Sequence, residues 1–249
     1  MAGHSKFKNI QHRKEAQNKK RAKIFTSLVR EIFLSAKSGI DPQYNPRLRT
    51  ALAMAKVKNL PKDRIEKAIS QACDKNNQEN YFEVRYEGFA AGGISIIIEA
   101  LTDNTNRTAA YIRSILSRYG GNLAETGSVS FMFNHVGIIQ FESSVAVNDK
   151  LFESAIEAGA EDVESDDICH TVYTPIKFFT NAMETLTKQF GNPVESYIGW
   201  RPQNVILVSD GEKAEKLLKL IEALEDNDDV QRVFSNYELS EDIYKKLIS

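Results

Sequence analysis

The chain has 249 residues, 42% of them hydrophobic and 27% charged, with only 13 Gly and 6 Pro, which excludes collagen-like and wholly disordered classes. Its 32 basic and 34 acidic side chains nearly cancel to −2, yet residues 1–75 hold 18 basic against 6 acidic groups and residues 76–249 hold 14 against 28. A segment of net +12 is thus joined to a body of net −14, the pattern of a polyanion-binding anchor on a part that repels polyanions.

The first 23 residues carry eight Lys or Arg and one acid, with Phe7 and Ile10 as the large apolar groups. They cannot bury a face and read as an extended or frayed arm. From Ile24 the pattern becomes helical, with Phe25, Leu28, Val29, Ile32, Phe33 and Ala36 in register and Gly39 at the expected end. After the turn DPQYNP a second helix places Leu48, Leu52 and Ala55 on one side. A third opens near Pro61 with Ile65, Ala68, Ile69 and Ala72 as its stripe. The polar stretch DKNNQEN, residues 74–80, is where the charge changes sign and where a domain boundary is expected.

Beyond it strands and helices alternate. Residues 82–88 and 94–101 read as strands, 107–119 as a helix ended by Gly120 and Gly121, and 128–133 (SVSFMF) as a third strand. Residues 137–200 then spell strand, helix, two strands, helix, strand, the ferredoxin-like order. A strand at 204–209, a helix opened by the capping-box pattern Ser209-x-x-Glu212, and a strand at 230–236 complete the chain. The flanking pieces are each too small for a stable sheet and make one unit together. The expected fold is therefore multidomain α+β: a three-helix basic domain (1–77), an α+β domain (78–134 plus 203–249), and a βαββαβ domain (135–202) inserted in it, both of the latter ferredoxin-like.

Residues that could carry chemistry are sparse. No phosphate-loop, dinucleotide, zinc-protease, nucleophile-elbow or EF-hand spacing occurs. Cys73 and Cys169 lie outside any CxxC pattern and read as reduced thiols, so neither a zinc site nor a disulfide is expected. His4, His12, His135 and His170 lack convergent partners, and no catalytic residue, metal or cofactor is assigned. GGNLAETGS, residues 120–128, has the glycines of an anion cradle but no Lys or Arg, and reads first as a helix end and a turn. EDNDD, residues 225–229, reads as a solvated helix-to-strand loop before a cation site.

The basic arm differs in kind. Lys6, Lys8, Arg13, Lys14, Lys19, Lys20, Arg21 and Lys23 fall within 18 residues. If six to eight reach phosphates, the slope of log K against log salt is roughly −4 to −7. Phe7 offers a stacking ring and His12 a further polar contact. Arg47, Arg49, Lys62 and Arg64 continue the positive surface onto the helices, with Arg30, Lys56, Lys58 and Lys67 beside them. The arm lacks the apolar face of a membrane-surface helix. The longest apolar stretch, Ile94–Leu101, contains Ser95 and Glu99 and falls far short of the roughly 20 residues of a span. The N-terminus MAGHSKFKNIQHRK lacks the apolar core of a secretory signal. A cytoplasmic location without a membrane partner is expected. Oligomeric state is not fixed by the sequence.

Four blocks then carry a resemblance: MAGHSKFKNIQHRKEAQNKKRAKIF, NPRLRTALAMAKVKNLPKDRIEKAI, YEGFAAGGISIIIEALTDNTNRTAAYIRSILSRYGGNLAETGSVSFMF and AEKLLKLIEALEDNDDVQRVFSNYEL. In this order they resemble the YebC/PmpR family over essentially the full length; its mitochondrial members are translational activators of cytochrome oxidase subunit I. Phe7 stands where the family usually has Trp, and Ala90-Ala91 where it usually has Gly-Pro before Gly92-Gly93. The resemblance implies a cofactor-free, three-domain, cytoplasmic protein. It implies either a DNA-binding transcriptional regulator or a ribosome-associated factor on ribosomal RNA that helps translation through difficult sequences. A non-enzymatic nucleic-acid-binding regulator is expected, with DNA first, ribosomal RNA second and a nuclease-type enzyme third.

Overall fold

The computed structural model describes residues 17–74 and 81–248. Helix α1 spans Gln17–Lys37, α2 Pro46–Val57 and α3 Lys62–Cys73. Ile32, Phe33 and Ala36 of α1 are buried against Leu48, Ala51 and Ala55 of α2, Leu60, and Ala68 of α3. The α1–α2 turn is held by Asn45. Its Oδ1 accepts from the Leu48 amide at 3.0 Å, and its Nδ2 donates to the Ser35 and Gly39 carbonyls at 2.8 and 2.7 Å, so one side chain caps α2 and satisfies the end of α1. Helix α1 begins seven residues before the apolar stripe, taking in Lys19, Lys20, Arg21 and Lys23, which the sequence placed in an extended arm. Gln, Lys, Arg and Ala are good helix formers, and a helix nucleated by its buried half propagates through them.

Strands β1 (Phe82–Phe89) and β2 (Ser95–Thr102) form a hairpin turned by Gly92 and Gly93, both at positive φ. Helix α4 (Thr105–Arg118) leads to the short β3 (Asn122–Ala124). After β4 (Phe133–Glu142), α5 (Asn148–Glu157), β5 (Asp162–Ser165), β6 (Cys169–Thr174), α6 (Ile176–Phe190) and β7 (Glu195–Pro202), the chain continues through β8 (Ile206–Val208), α7 (Gly211–Glu225), β9 (Val230–Ser235), β10 (Tyr237–Leu239) and α8 (Glu241–Ile248). The larger sheets are all antiparallel, ordered β3-β1-β2-β9 and β5-β6-β4-β7, while β8 and β10 form a parallel pair. Numbered within residues 133–202, the second sheet runs 2-3-1-4, the ferredoxin-like arrangement. The first sheet fills the same four places along a different path, because β1 passes directly into β2 and its last strand arrives from beyond residue 202.

Two helices cover the outer face of each sheet. Ile96, Ile98 and Val233 pack against Ile112 and Leu116 of α4 and Leu217, Leu218 and Ile221 of α7. Ile139, Phe141 and Val172 pack against Leu151 of α5 and Phe179, Ala182 and Leu186 of α6. The inner faces meet each other: Ile97 and Phe234 of the first sheet are buried with Val136, Ile138 and Tyr173 of the second. The strands obey period-two alternation on both sides, as a helix–sheet–sheet–helix sandwich requires. At the contact Gly199 lies under Phe234, where a Cβ would stand 2.8 Å from the ring.

Four elements differ from the sequence reading. The third strand is Asn122–Ala124, and Ser130–Met132 forms a 3₁₀ turn instead of the strand read at 128–133. Helix α7 is capped by Asp210, whose Oδ1 accepts from the Lys213 amide at 3.0 Å, one residue beyond Ser209. Strand β10 and helix α8 were not anticipated.

Candidate nucleic-acid interface

Of the candidate residues, Lys6, Phe7, Lys8, His12, Arg13 and Lys14 lie outside the described residues, as does His4. Lys19, Lys20, Arg21 and Lys23 fall in the first two turns of α1. Lys62 and Arg64 occupy the opening turn of α3, both exposed, and Lys67 follows Arg64 at the spacing that shares a helix face. Lys62 Nζ is 3.3 Å from Glu66 across open solvent, a pair too exposed to hold the ammonium against a phosphate. The Arg64 guanidinium lies 5.9 Å from the Phe25 ring centroid.

Arg47 and Arg49 face the other way, toward the acidic body. Arg47 Nε donates to Glu31 at 2.6 Å, and Nη2 donates to Glu31 at 3.0 Å and to Glu83 of β1. The bonds donated to Glu31 outweigh the effect of burial and, with Glu83, hold the guanidinium's proton even more firmly than usual. Arg49 is 3.4 Å from Glu184 on α6. These arginines therefore reach a phosphate only by giving up carboxylates.

Arg30 makes a largely buried contact between the helices and the body. Its Nη1 donates to the Asp228 carbonyl at 2.6 Å and to Asp229 Oδ1 at 3.3 Å, and the guanidinium sits 5.3 Å from the Tyr81 ring centroid. Oδ2 of Asp229 accepts from Arg107 at 2.7 Å, Thr108 at 2.9 Å and Thr102 at 3.1 Å. Burial pushes the Asp229 carboxyl up, but the hydrogen bonds from Arg107, Thr108 and Thr102 and the charge of Arg107 together hold it below the usual carboxylate range. The 225–229 loop is thus not simply solvated: its last acid has a side chain only 7% exposed and is held by two arginines. In the sequence, TDNTNRT carried the signal for this cluster, but its partner lies more than 120 residues away.

The glycine-bearing loop at 120–128 is also filled from within. The buried Glu87 carboxylate accepts from the Val129 and Ser130 amides at 2.8 and 3.0 Å, and Arg85 Nε lies 3.0 Å from its other oxygen. Burial favours the neutral acid, yet the amides of Val129, Gly127 and Ser130 and the charge of Arg85 prevail, and the pKa is depressed. The anion in this cradle is the protein's own. It also explains the missing strand, since amides captured by Glu87 cannot enter a ladder.

The remaining histidines have structural settings. His170 is fully buried, with Nδ1 2.7 Å from Ser165 Oγ and Nε2 3.0 Å from the Ala146 carbonyl oxygen. His135 stacks on Trp200 at 4.4 Å. Among the described residues no group of three or more His, Cys, Asp and Glu side chains could hold a metal ion, and no helix is long and apolar enough to cross a membrane.

Comparison with known proteins places these features in company. Residues 5–75 match the family described as the TACO1/YebC protein N-terminal domain, and residues 81–237 match the TACO1/YebC second and third domain. A probable transcriptional regulatory protein of Orientia tsutsugamushi (strain Ikeda) is 67% identical over the whole of both chains. One of Rickettsia bellii (strain OSU 85-389) is 60% identical over 99% of this chain and 97% of its own. A conserved hypothetical protein from Aquifex aeolicus, solved by crystallography, superposes with a TM-score of 0.84 at 39% identity, covering 89% of this chain and 91% of that one.

Proposed function

The chain belongs to the TACO1/YebC family, and from that premise we propose that it is a non-enzymatic, nucleic-acid-binding regulator of gene expression, acting first as a DNA-binding transcriptional regulator. The observation that carries the reading is the division of charge in three dimensions. Lys62, Arg64 and Lys67 stand exposed on α3, on the unit that continues the Lys-rich arm, while Arg47 and Arg49 join that unit to carboxylates of the body. Phosphates would meet the outward cations, and the acidic sandwich would stay clear of the polyanion. The names of the Orientia and Rickettsia relatives support a regulatory role.

A second reading follows from the same surface. Cations on short helices recognise backbone and shape more readily than base edges, which suits folded ribosomal RNA as well as duplex DNA. Fluorescence anisotropy with a promoter duplex, a scrambled duplex and a structured ribosomal RNA fragment, each over a salt series, tests both. Preference for the promoter supports transcription. Equal affinity for both duplexes, with tighter RNA binding and co-sedimentation with ribosomal particles, replaces that reading with translation. Affinity for none of the three rejects both, and turnover of labelled nucleic acid with added magnesium rejects the non-enzymatic assignment.

A further inference from the structure

The helices over the second sheet leave an apolar strip in water. Phe152 and Ile156 of α5 stand one turn apart on one helix face and are 47% and 42% exposed, and Phe178 of α6 is 41% exposed. Gly159, just past the end of α5, brings them together. A Cβ added there would lie 3.3 Å from Phe178 Cγ, and its amide donates to the Ile156 carbonyl at 3.0 Å. The core beneath is filled by Leu151 and Ala155 of the same helix and by Phe179 beside Phe178, so the three exposed side chains lie outside it. One apolar side chain in water is ordinary, but two phenylalanines and an isoleucine gathered on adjoining helices mark a contact surface.

An acidic ridge borders the strip. Asp149, Glu153 and Glu157 follow one another at four-residue spacing on α5, all exposed, and among the described residues no side chain pairs with them. Like charges at that spacing repel, and Glu157 also stands at the negative end of the helix dipole, with no basic residue in the last turn to offset it. Lys150 is two residues from Phe152 and so points away from the strip, while Lys177 Nζ sits 4.6 Å from the Phe178 ring centroid. The chain itself shows how its body receives a helix of matching chemistry. Helix α2 has no acid, and it docks by placing Arg49 3.4 Å from Glu184 of α6 and Met54 3.6 Å from Ser196 Oγ of β7. A polyanion or an anionic membrane would be repelled by the ridge, and a second copy would bring its own acidic ridge to the contact.

We propose that the strip across α5 and α6 docks a basic amphipathic helix of another protein, its apolar side chains over Phe152, Ile156 and Phe178 and its Lys or Arg side chains along Glu153 and Glu157. The contact is separate from the cations of α3, so it stands or falls without the nucleic-acid reading. The test is fluorescence anisotropy of the full chain at physiological salt with a labelled Leu/Lys peptide, LKKLLKLLKKLLKL, whose leucines share one helix face, beside a scrambled peptide of the same composition. One site per chain with a micromolar Kd is expected for the amphipathic peptide, and much weaker binding for the scrambled one. Phe152→Gln/Ile156→Gln is expected to weaken binding about tenfold, the scale of lost apolar burial, and Glu153→Gln/Glu157→Gln about threefold, the scale of exposed ion pairs. Both pairs are exposed, so parent-like thermal melts are expected, and the Glu pair, which relieves a like-charge repulsion, tests the strip even where the apolar pair lowers stability. Glu212→Gln/Asp242→Asn, which removes exposed acids on α7 and α8, is expected to leave the Kd unchanged. Equal affinity for the scrambled peptide, parent affinity in both strip variants, an effect of Glu212 and Asp242 as large as that of Glu153 and Glu157, or no binding at submillimolar protein would each overturn the proposal. So would a concentration-dependent dimer in sedimentation that Phe152→Gln/Ile156→Gln abolishes, since the strip would then belong to a second copy.

Discussion

Arg30 and Asp229 meet 3.3 Å apart with side chains 17% and 7% exposed, and between them they join the first helix to the loop that feeds β9, the last strand of the first sheet. Asp229 takes Arg30 on one oxygen and Arg107, Thr108 and Thr102 on the other. One buried carboxylate shared between two arginines thus helps hold the basic helices on the body, beside the Arg47–Glu83 and Arg49–Glu184 pairs.

Replacing Arg30 by Ala strips partners from Asp229 and from the Asp228 carbonyl. A loss of about 2–3 kcal/mol is expected, the scale of charge-assisted hydrogen bonds to a buried group. Calorimetry is expected to show the helical unit melting ahead of the sandwich, so one unchanged transition would show that Arg30 does not couple them.

Stability falls on the acid side for a stated reason. Asp229 and Glu87 both have depressed pKa values in the fold, so their contribution is complete above the ordinary carboxylate range and is lost as pH drops through the depressed values, below about pH 4. Glu87→Gln keeps the size of the side chain but withdraws the charge from the Gly127–Ser130 amides. It is expected to flatten the acid limb of a stability-against-pH curve and to cost about 1–3 kcal/mol at pH 7.

Glu99 carries the opposite sign. Burial raises its pKa despite the hydrogen bond from Trp200 Nε1 at 2.9 Å and the nearby charges of Arg232 and His135, so its ionisation costs stability as pH rises through the raised value. Glu99→Gln keeps an oxygen for Trp200. Its stability relative to the parent is expected to improve between pH 4 and pH 8 in paired chemical melts, and a relative loss over that range would mean that Arg232 and His135 dominate.

The arginines and lysines of the helical unit are expected to divide into two groups. Removing Lys62, Arg64 and Lys67 together should lower nucleic-acid affinity and reduce the salt slope by about 2–3, at 0.7–0.9 per contact. Arg47→Ala and Arg49→Ala should leave the slope nearly unchanged and lower the melting temperature, because their partners are Glu31, Glu83 and Glu184. Salt-dependent anisotropy beside thermal melts distinguishes the groups, and a full-unit fall in slope for Arg47→Ala would move it to the binding face.

Local order was legible from residue spacing, and long-range pairing was not. The stripe from Ile24 to Ala36 identified the buried face of α1, and the sequence of strands and helices from 137 to 200 conveyed the ferredoxin-like path. SVSFMF alternates like a strand, yet Phe131 is 66% exposed, because Glu87, more than 40 residues upstream, captures the amides that a ladder would need. Arg47 and Arg49 looked like free cations for the same reason, since Glu83 and Glu184 are distant in the chain. The Lys-rich residues 1–14 had the strongest charge signal and lie outside the described residues.

The face-to-face contact between the sheets bears on how this architecture can be cut and rejoined. Phe133 and Pro202 are paired neighbours at the ends of β4 and β7, so the whole segment between them enters and leaves the unit built on the first sheet at nearly one point, and a short turn would close the gap if it were removed. Excision would nevertheless strand Ile97 and Phe234, now covered by Val136, Ile138 and Tyr173, as an oily face in water. The segment is a cassette by connectivity and a fixed half of the core by energy, so a trimmed protein would need those two residues made polar before that bared face was free of association.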